Sequence, residues 1–222
     1  GTPFWEELSR AGKRSAVLDI PHMVTDPDHV GVQLMEYGCH DRHLGTRSVP
    51  DTLVDEIVER FGAHPVGMDN PRSEHTFAAC DYTHRQGVRR TPEESRVFLD
   101  DLLLGQARKE AASLALLADG GWDLFMTNLG EAHCVGHQLW SAHDPEHPWH
   151  DPAVVEQVGD PVRTMYRRLD RALGRHIAAA GDDATVLVLA PHGMGPHYSG
   201  TPLLDETLHR IEIADNGGPQ GN

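Results

Sequence analysis

The residues with the most chemistry per position in this chain are its histidines, 16 in 222 residues, and they cluster. His133 and His137 stand four apart in Gly130-Glu131-Ala132-His133-Cys134-Val135-Gly136-His137. On a helix that spacing puts both rings on one face, as a bound metal ion requires. A second group, Pro191-His192-Gly193-Met194-Gly195-Pro196-His197, lies far downstream, and His192 or His197 would supply a third imidazole. Three histidines with an open coordination position suit zinc, as a Lewis acid or a water activator. The alternative is a polar, loop-rich rim whose histidines are satisfied by ordinary hydrogen bonds. Glu131 also has two readings: a carboxylate that orients a ligating imidazole, or an acidic residue favoured at a helix N-terminus. Cys134 projects about 100° away from His133 on a helix and reads as a small buried residue.

The remaining candidates carry less. His40-Asp41-Arg42-His43 sits in a loop and suits turn and hydrogen-bonding roles. The stretch His143–Asp151, rich in Pro and His, reads as a solvated loop, with a lid over the site as the alternative. No nucleophile elbow, phosphate-binding loop or dinucleotide fingerprint occurs.

The elements that must position these residues are marked by start and stop signals. Thr2-Pro3 opens a short helix to Ala11, stopped by Gly12. Arg14–Ile20 then reads as a buried strand ended by Pro21, and residues 22–49 read as loop. Pro50–Phe61 is an amphipathic helix closed by Gly62. Residues 63–90 are irregular and polar. Thr91-Pro92-Glu93-Glu94 has the form of a capping box and starts a helix to about Ala118. Trp122–Asn128 is a second strand, Gly130 to about Ala142 a helix, and Asp160-Pro161 caps a third long helix to Ala180. Ala184–Ala190 is the clearest strand by pattern, and Thr201-Pro202 starts a last helix to about Ile211.

Helices alternating with strands predict an α/β fold of three layers, a mainly parallel sheet flanked by helices. Sites in such sheets form beyond the carboxyl ends of the strands, and both histidine groups follow a strand. The expected organisation is a single domain over 1–213 and a disordered tail over 214–222.

Composition narrows the function. The net charge is −15, which argues against binding a nucleic-acid polymer. No stretch approaches the ~18–20 apolar residues of a membrane span. Three cysteines, Cys39, Cys80 and Cys134, make no closed disulfide framework, so a reducing, cytoplasmic setting is expected. Only Lys13 and Lys109 are lysines, against 17 arginines, a bias read as base composition without functional weight.

Three segments, Pro3–Pro21, Trp122–Trp140 and Val186–Leu204, resemble the alkaline phosphatase superfamily, and within it the type I phosphodiesterase/nucleotide pyrophosphatase branch. In that branch one strand ends in a D-x-x-x-H metal motif and another in D-H-G-M, with a further histidine downstream. The resemblance implies that His137 and His192 match the motif histidines and that His197 matches the downstream one. His133 and Pro191 stand where the two aspartates are expected. It further implies a metal site of His133, His137 and His197 holding one divalent ion, most simply zinc. His192 belongs to a second ion or to a hydrogen bond with substrate. Pro191 costs that second site a carboxylate.

The expected activity is metal-dependent hydrolysis of small phosphate mono- or diesters; a member that binds metal or phosphoryl ligands without turnover is the alternative. The family's nucleophile and early aspartate fall upstream of the matched motifs. This chain therefore reads as the C-terminal portion of a larger catalytic domain, lacking the N-terminal part and inactive alone. A sheet short of strands exposes an edge, which makes a homo-oligomer a further expectation.

Overall fold

The computed structural model describes residues 2–38, 45–66, 90–195 and 207–211. Its elements in chain order are α1 (Phe4–Arg10), β1 (Ser15–Leu18), β2 (Gly31–Met35), β3 (Arg47–Val49), α2 (Leu53–Phe61), α3 (Pro92–Ala118), β4 (Leu124–Thr127), α4 (Glu131–His143), α5 (Pro152–Val158) and α6 (Pro161–Ala180). The strands form one sheet in the order β3-β2-β1-β4. β1 runs parallel to both β2 and β4, with Leu18 opposite Leu34 and Thr127, while β3 is antiparallel to β2. The fold is thus α/β with a mostly parallel sheet between helices, consistent with the alkaline-phosphatase-like architecture.

Successive residues of a strand point to opposite faces, and β1 uses both. Val17 packs with Trp5 of α1, Met35 and, around them, Leu124 and Met126. Leu18 faces the other way, onto Leu34, Leu53 and Ile57 of α2, and Ala112 and Leu116 of α3. Burial on both faces explains why this central strand is a continuous apolar run. The first half of α3 leaves the sheet and joins a helical lobe, where Phe98, Leu99 and Leu102 pack with Val135 and Leu139 of α4, Val154 of α5 and Met165 of α6. A helix that serves two cores is apolar around much of its circumference, and α3 is buried on several sides.

The capping box at Thr91 is present: its side chain accepts from the Glu94 N–H, and the Glu94 carboxylate accepts from the Thr91 N–H. Asp160 likewise accepts from the Arg163 N–H at the start of α6. Both satisfy N–H groups that the helix cannot pair internally.

Two expectations need correction, and one further helix is present. Residues 22–49 are not all loop, since β2 and β3 lie within them. Residues 152–158 form α5, started by Asp151, whose side chain accepts from the Ala153 N–H, and by Pro152. Ala184–Ala190 is not a strand. It is without ladder pairing and open to solvent, with Leu187 81% and Leu189 79% exposed. Its apolar pattern encodes a need for cover on both faces, and the described residues do not supply a neighbouring strand. Of the last helix, 207–211 is helical; its start and the tail 214–222 lie outside the described residues.

Candidate functional site

The carboxyl ends of β1, β2 and β4 converge on one edge, and each delivers a polar residue there. β1 runs into Asp19, whose N–H donates to Leu34 O and whose φ is +60°. β2 runs into Glu36, also left-handed at φ +57° and 1% exposed. β4 runs into Asn128, whose side-chain amide donates to Asp19 O at 3.2 Å. Gly130 then turns the chain into α4. Left-handed backbone at non-glycine residues costs about 1–3 kcal/mol each and persists only where the surroundings fix it.

α4 presents two different sides to this edge. Outward, the rings of His133 and His137 meet edge to face at 4.3 Å between centroids, the contact that i, i+4 spacing makes available. His192 joins them from downstream, 6.2 Å from His133. Its approach depends on Gly136. The side chain of Met194, two residues beyond His192, lies against that glycine, where an added Cβ would come within 2.5 Å of Met194 Cγ. His133 and His137 are half-buried and His192 is exposed. His197 lies outside the described residues, as do His40 and His43.

Inward, Glu131 is 1% exposed and its Oε1 stands 2.8 Å from Lys109 Nζ and 3.5 Å from His64 Nε2. Lys109 also donates to Asp19 Oδ2 at 3.0 Å and to Gly38 O at 3.4 Å, and the Gly38 N–H donates to the same Asp19 oxygen at 2.9 Å. Burial alone would raise the Glu131 carboxyl. The Lys109 charge and the neighbouring His64 ring outweigh it and hold the group at about 2. Burial likewise works against the Lys109 ammonium, but Glu131 and Asp19 hold its pKa well above the ordinary lysine range. Glu131 is therefore an ionised partner of a buried lysine, and the imidazole it touches is His64.

Cys134 is buried at 3% exposure and carries no disulfide. The 143–151 stretch is tied down locally: His143 Nδ1 lies 2.9 Å from Asp160 Oδ1, His150 Nδ1 lies 2.8 Å from Ser141 O, and Asp144 accepts from the Glu146 N–H.

Sequence reasoning missed Lys109, Asp19 and His64. The available signals were one of only two lysines within an arginine-rich chain and an acidic residue ending an apolar strand. A surface hollow lined by Glu6, Ser9, Arg10 and Thr25–Asp28 lies between α1 and the β1–β2 connection, and contains none of these residues.

No curated protein and no solved structure matches the chain. The family model of the type I phosphodiesterases/nucleotide pyrophosphatases matches residues 1–218, nearly the whole length and both histidine groups. The chain belongs to the type I phosphodiesterase/nucleotide pyrophosphatase family, within the alkaline phosphatase superfamily.

Proposed function

We propose that this protein is a metal-dependent hydrolase of small phosphate mono- or diesters whose cation is held at the histidine rim of α4. Membership of a phosphodiesterase family supports phosphoester chemistry, and that family is generally dependent on divalent metal. The observation that carries the reading is the meeting of His133 and His137 with His192, from segments far apart in sequence, beyond the carboxyl end of β4. Imidazole is a good donor for zinc and other first-row ions. The donor set is partial: among the described residues no group of three His, Cys, Asp or Glu is drawn closely enough together to enclose an ion. His197 completes it in this proposal.

His133, His137 and His197 hold one divalent ion, zinc in the simplest case, and a divalent ion there supplies a Lewis acid for a phosphoryl oxygen. His192, exposed at the rim, donates a hydrogen bond to the bound phosphoryl group or serves a second ion. The half-burial of His133 and His137 limits the water around them. No nucleophile is assigned among the described residues. Among the described residues no helix is long and apolar enough to cross a membrane, and the substrate is proposed as a small phosphoester. A second reading, binding without turnover, rests on Pro191, whose side chain offers no donor at the position of a family aspartate.

Thermal unfolding of the chain with Zn2+, with inorganic phosphate and with both tests the site. A rise in Tm from phosphate that requires the metal, and is lost in His137→Ala, is expected. An unchanged Tm with metal and phosphate together would overturn the proposal. Hydrolysis of an aryl phosphate mono- or diester by the protein, abolished in His137→Ala, separates the hydrolase from the binding reading.

A further inference from the structure

We infer that Lys109 is a positioning residue for the histidine rim, fixing the rotation of α4 through Glu131 and tying it to the end of β1 through Asp19. The inference rests on the site proposed above and extends it to a group buried outside that site.

Lys109 Nζ reaches three separate segments: it lies 2.8 Å from Glu131 Oε1 at the first residue of α4, and it donates to Asp19 Oδ2 after β1 and to Gly38 O after β2. All are buried, Lys109 at 3% and both carboxylates at 1% exposure. The His64 ring lies against the same carboxylate, its Nε2 3.5 Å from Glu131 Oε1 and its Nδ1 2.8 Å from Val66 O. It fits because α3 carries Gly105, where an added Cβ would lie 2.2 Å from the His64 ring, and because Gly38 also has no side chain, where an added Cβ would lie 2.7 Å from that ring.

Simple cohesion would not require charge. Well-packed apolar side chains often stabilise a buried site as well as an ion pair does, without its desolvation cost. What an ammonium between two carboxylates adds is direction. Each α-helical residue turns the helix by about 100°, so a slip of α4 by one residue would swing His133 and His137 off the rim. Glu131, two residues before His133, resists that slip only while its carboxylate is held. Asp19, kept in a left-handed conformation and bonded at both its N–H and its carboxylate, is the fixed post. Asn128 ties that same residue to the end of β4. The proposed chemistry uses none of these groups directly.

The test is Co2+ titration of the full chain, read by visible absorption, alongside far-UV circular dichroism. Glu131→Ala leaves Lys109 and Asp19 as a matched pair, so the fold has a neutral remainder to rest on. Its Co2+ affinity is expected to fall at least tenfold with an altered absorption band. Glu131→Gln, which keeps the side chain's shape and an oxygen facing Lys109, is expected to recover most of the loss. Asp19→Asn, tolerated at positive φ, leaves Lys109 and Glu131 matched and keeps the question answerable if Glu131→Ala does not fold; a loss of about threefold or more is expected. Wild-type affinity and spectrum in a folded Glu131→Ala or Asp19→Asn protein would overturn the inference while leaving the site standing. A wild-type protein that binds no Co2+ would overturn both.

Discussion

The two sides of α4 solve opposite problems within two helical turns. On the inward side unlike charges meet: Glu131 and Asp19 face Lys109, and the His64 ring completes the packing. On the outward side like groups meet, with His133, His137 and His192 ring to ring. Complementary groups draw themselves together, whereas a cluster of like donors has to be held from behind or from between. The inward side is accordingly a feature of the fold, and the outward side is where a ligand of another kind belongs.

This contrast predicts unequal costs of substitution. Lys109→Met strands two buried carboxylates without a counter-charge, and removing one partner of a buried pair costs about 3–5 kcal/mol. Denaturant unfolding is expected to show a loss of that size; a loss under 1 kcal/mol would mean that the inward side is not closed by charge.

Acid should attack the same side. The Glu131 carboxyl sits at about 2 in the folded chain against an ordinary 4.5. A lowered folded-state pKa contributes stability that is complete above the unfolded value and is lost as pH falls towards the folded one. Stability measured between about pH 4.5 and 2 should therefore decline with a slope that Glu131→Gln flattens. An unchanged slope in that variant would place the acid-sensitive group elsewhere.

Gly136→Ala probes the outward side. Alanine is favoured over glycine inside a helix by about 1 kcal/mol, yet its Cβ overlaps Met194. Overall stability is expected to change by no more than about 1 kcal/mol, while the His133–His192 contact, read by ring-proton NOEs, is lost. Retention of those NOEs would show that Met194 does not seat His192. Smallest of all is Leu187→Ser at an 81% exposed position, with a change expected within about 0.5 kcal/mol.

What the sequence revealed follows from how local each cause is. The capping box at Thr91 and the Asp160-Pro161 start are written in four consecutive residues, and α3 and α6 begin where those signals stand. The i, i+4 pair of His133 and His137 is equally local. β2 and β3 escaped because strands of five and three residues, one opening on Gly31 and the other on Arg47, leave too little alternation to detect. α5 escaped although Asp151-Pro152 repeats the signal that marks α6; seven residues after a loop rich in Pro and His show no period.

Ala184–Ala190 shows the converse, because an apolar run records a demand for burial without recording which strand meets it. Lys109 was hidden for a third reason. A lysine on a helix is ordinarily a solvated one, and only the meeting of α3 with Asp19, 90 residues earlier in sequence, and with Glu131, beyond β4 at the start of α4, makes this one internal.

The most direct test of the account is the metal content of protein purified without chelator, measured by elemental mass spectrometry beside His133→Ala and His137→Ala. Roughly one divalent ion per chain, lost in both variants while their folds persist, is the predicted result for a site built on these imidazoles. Protein that remains free of metal after reconstitution with Zn2+, or metal content unchanged by either substitution, would contradict it.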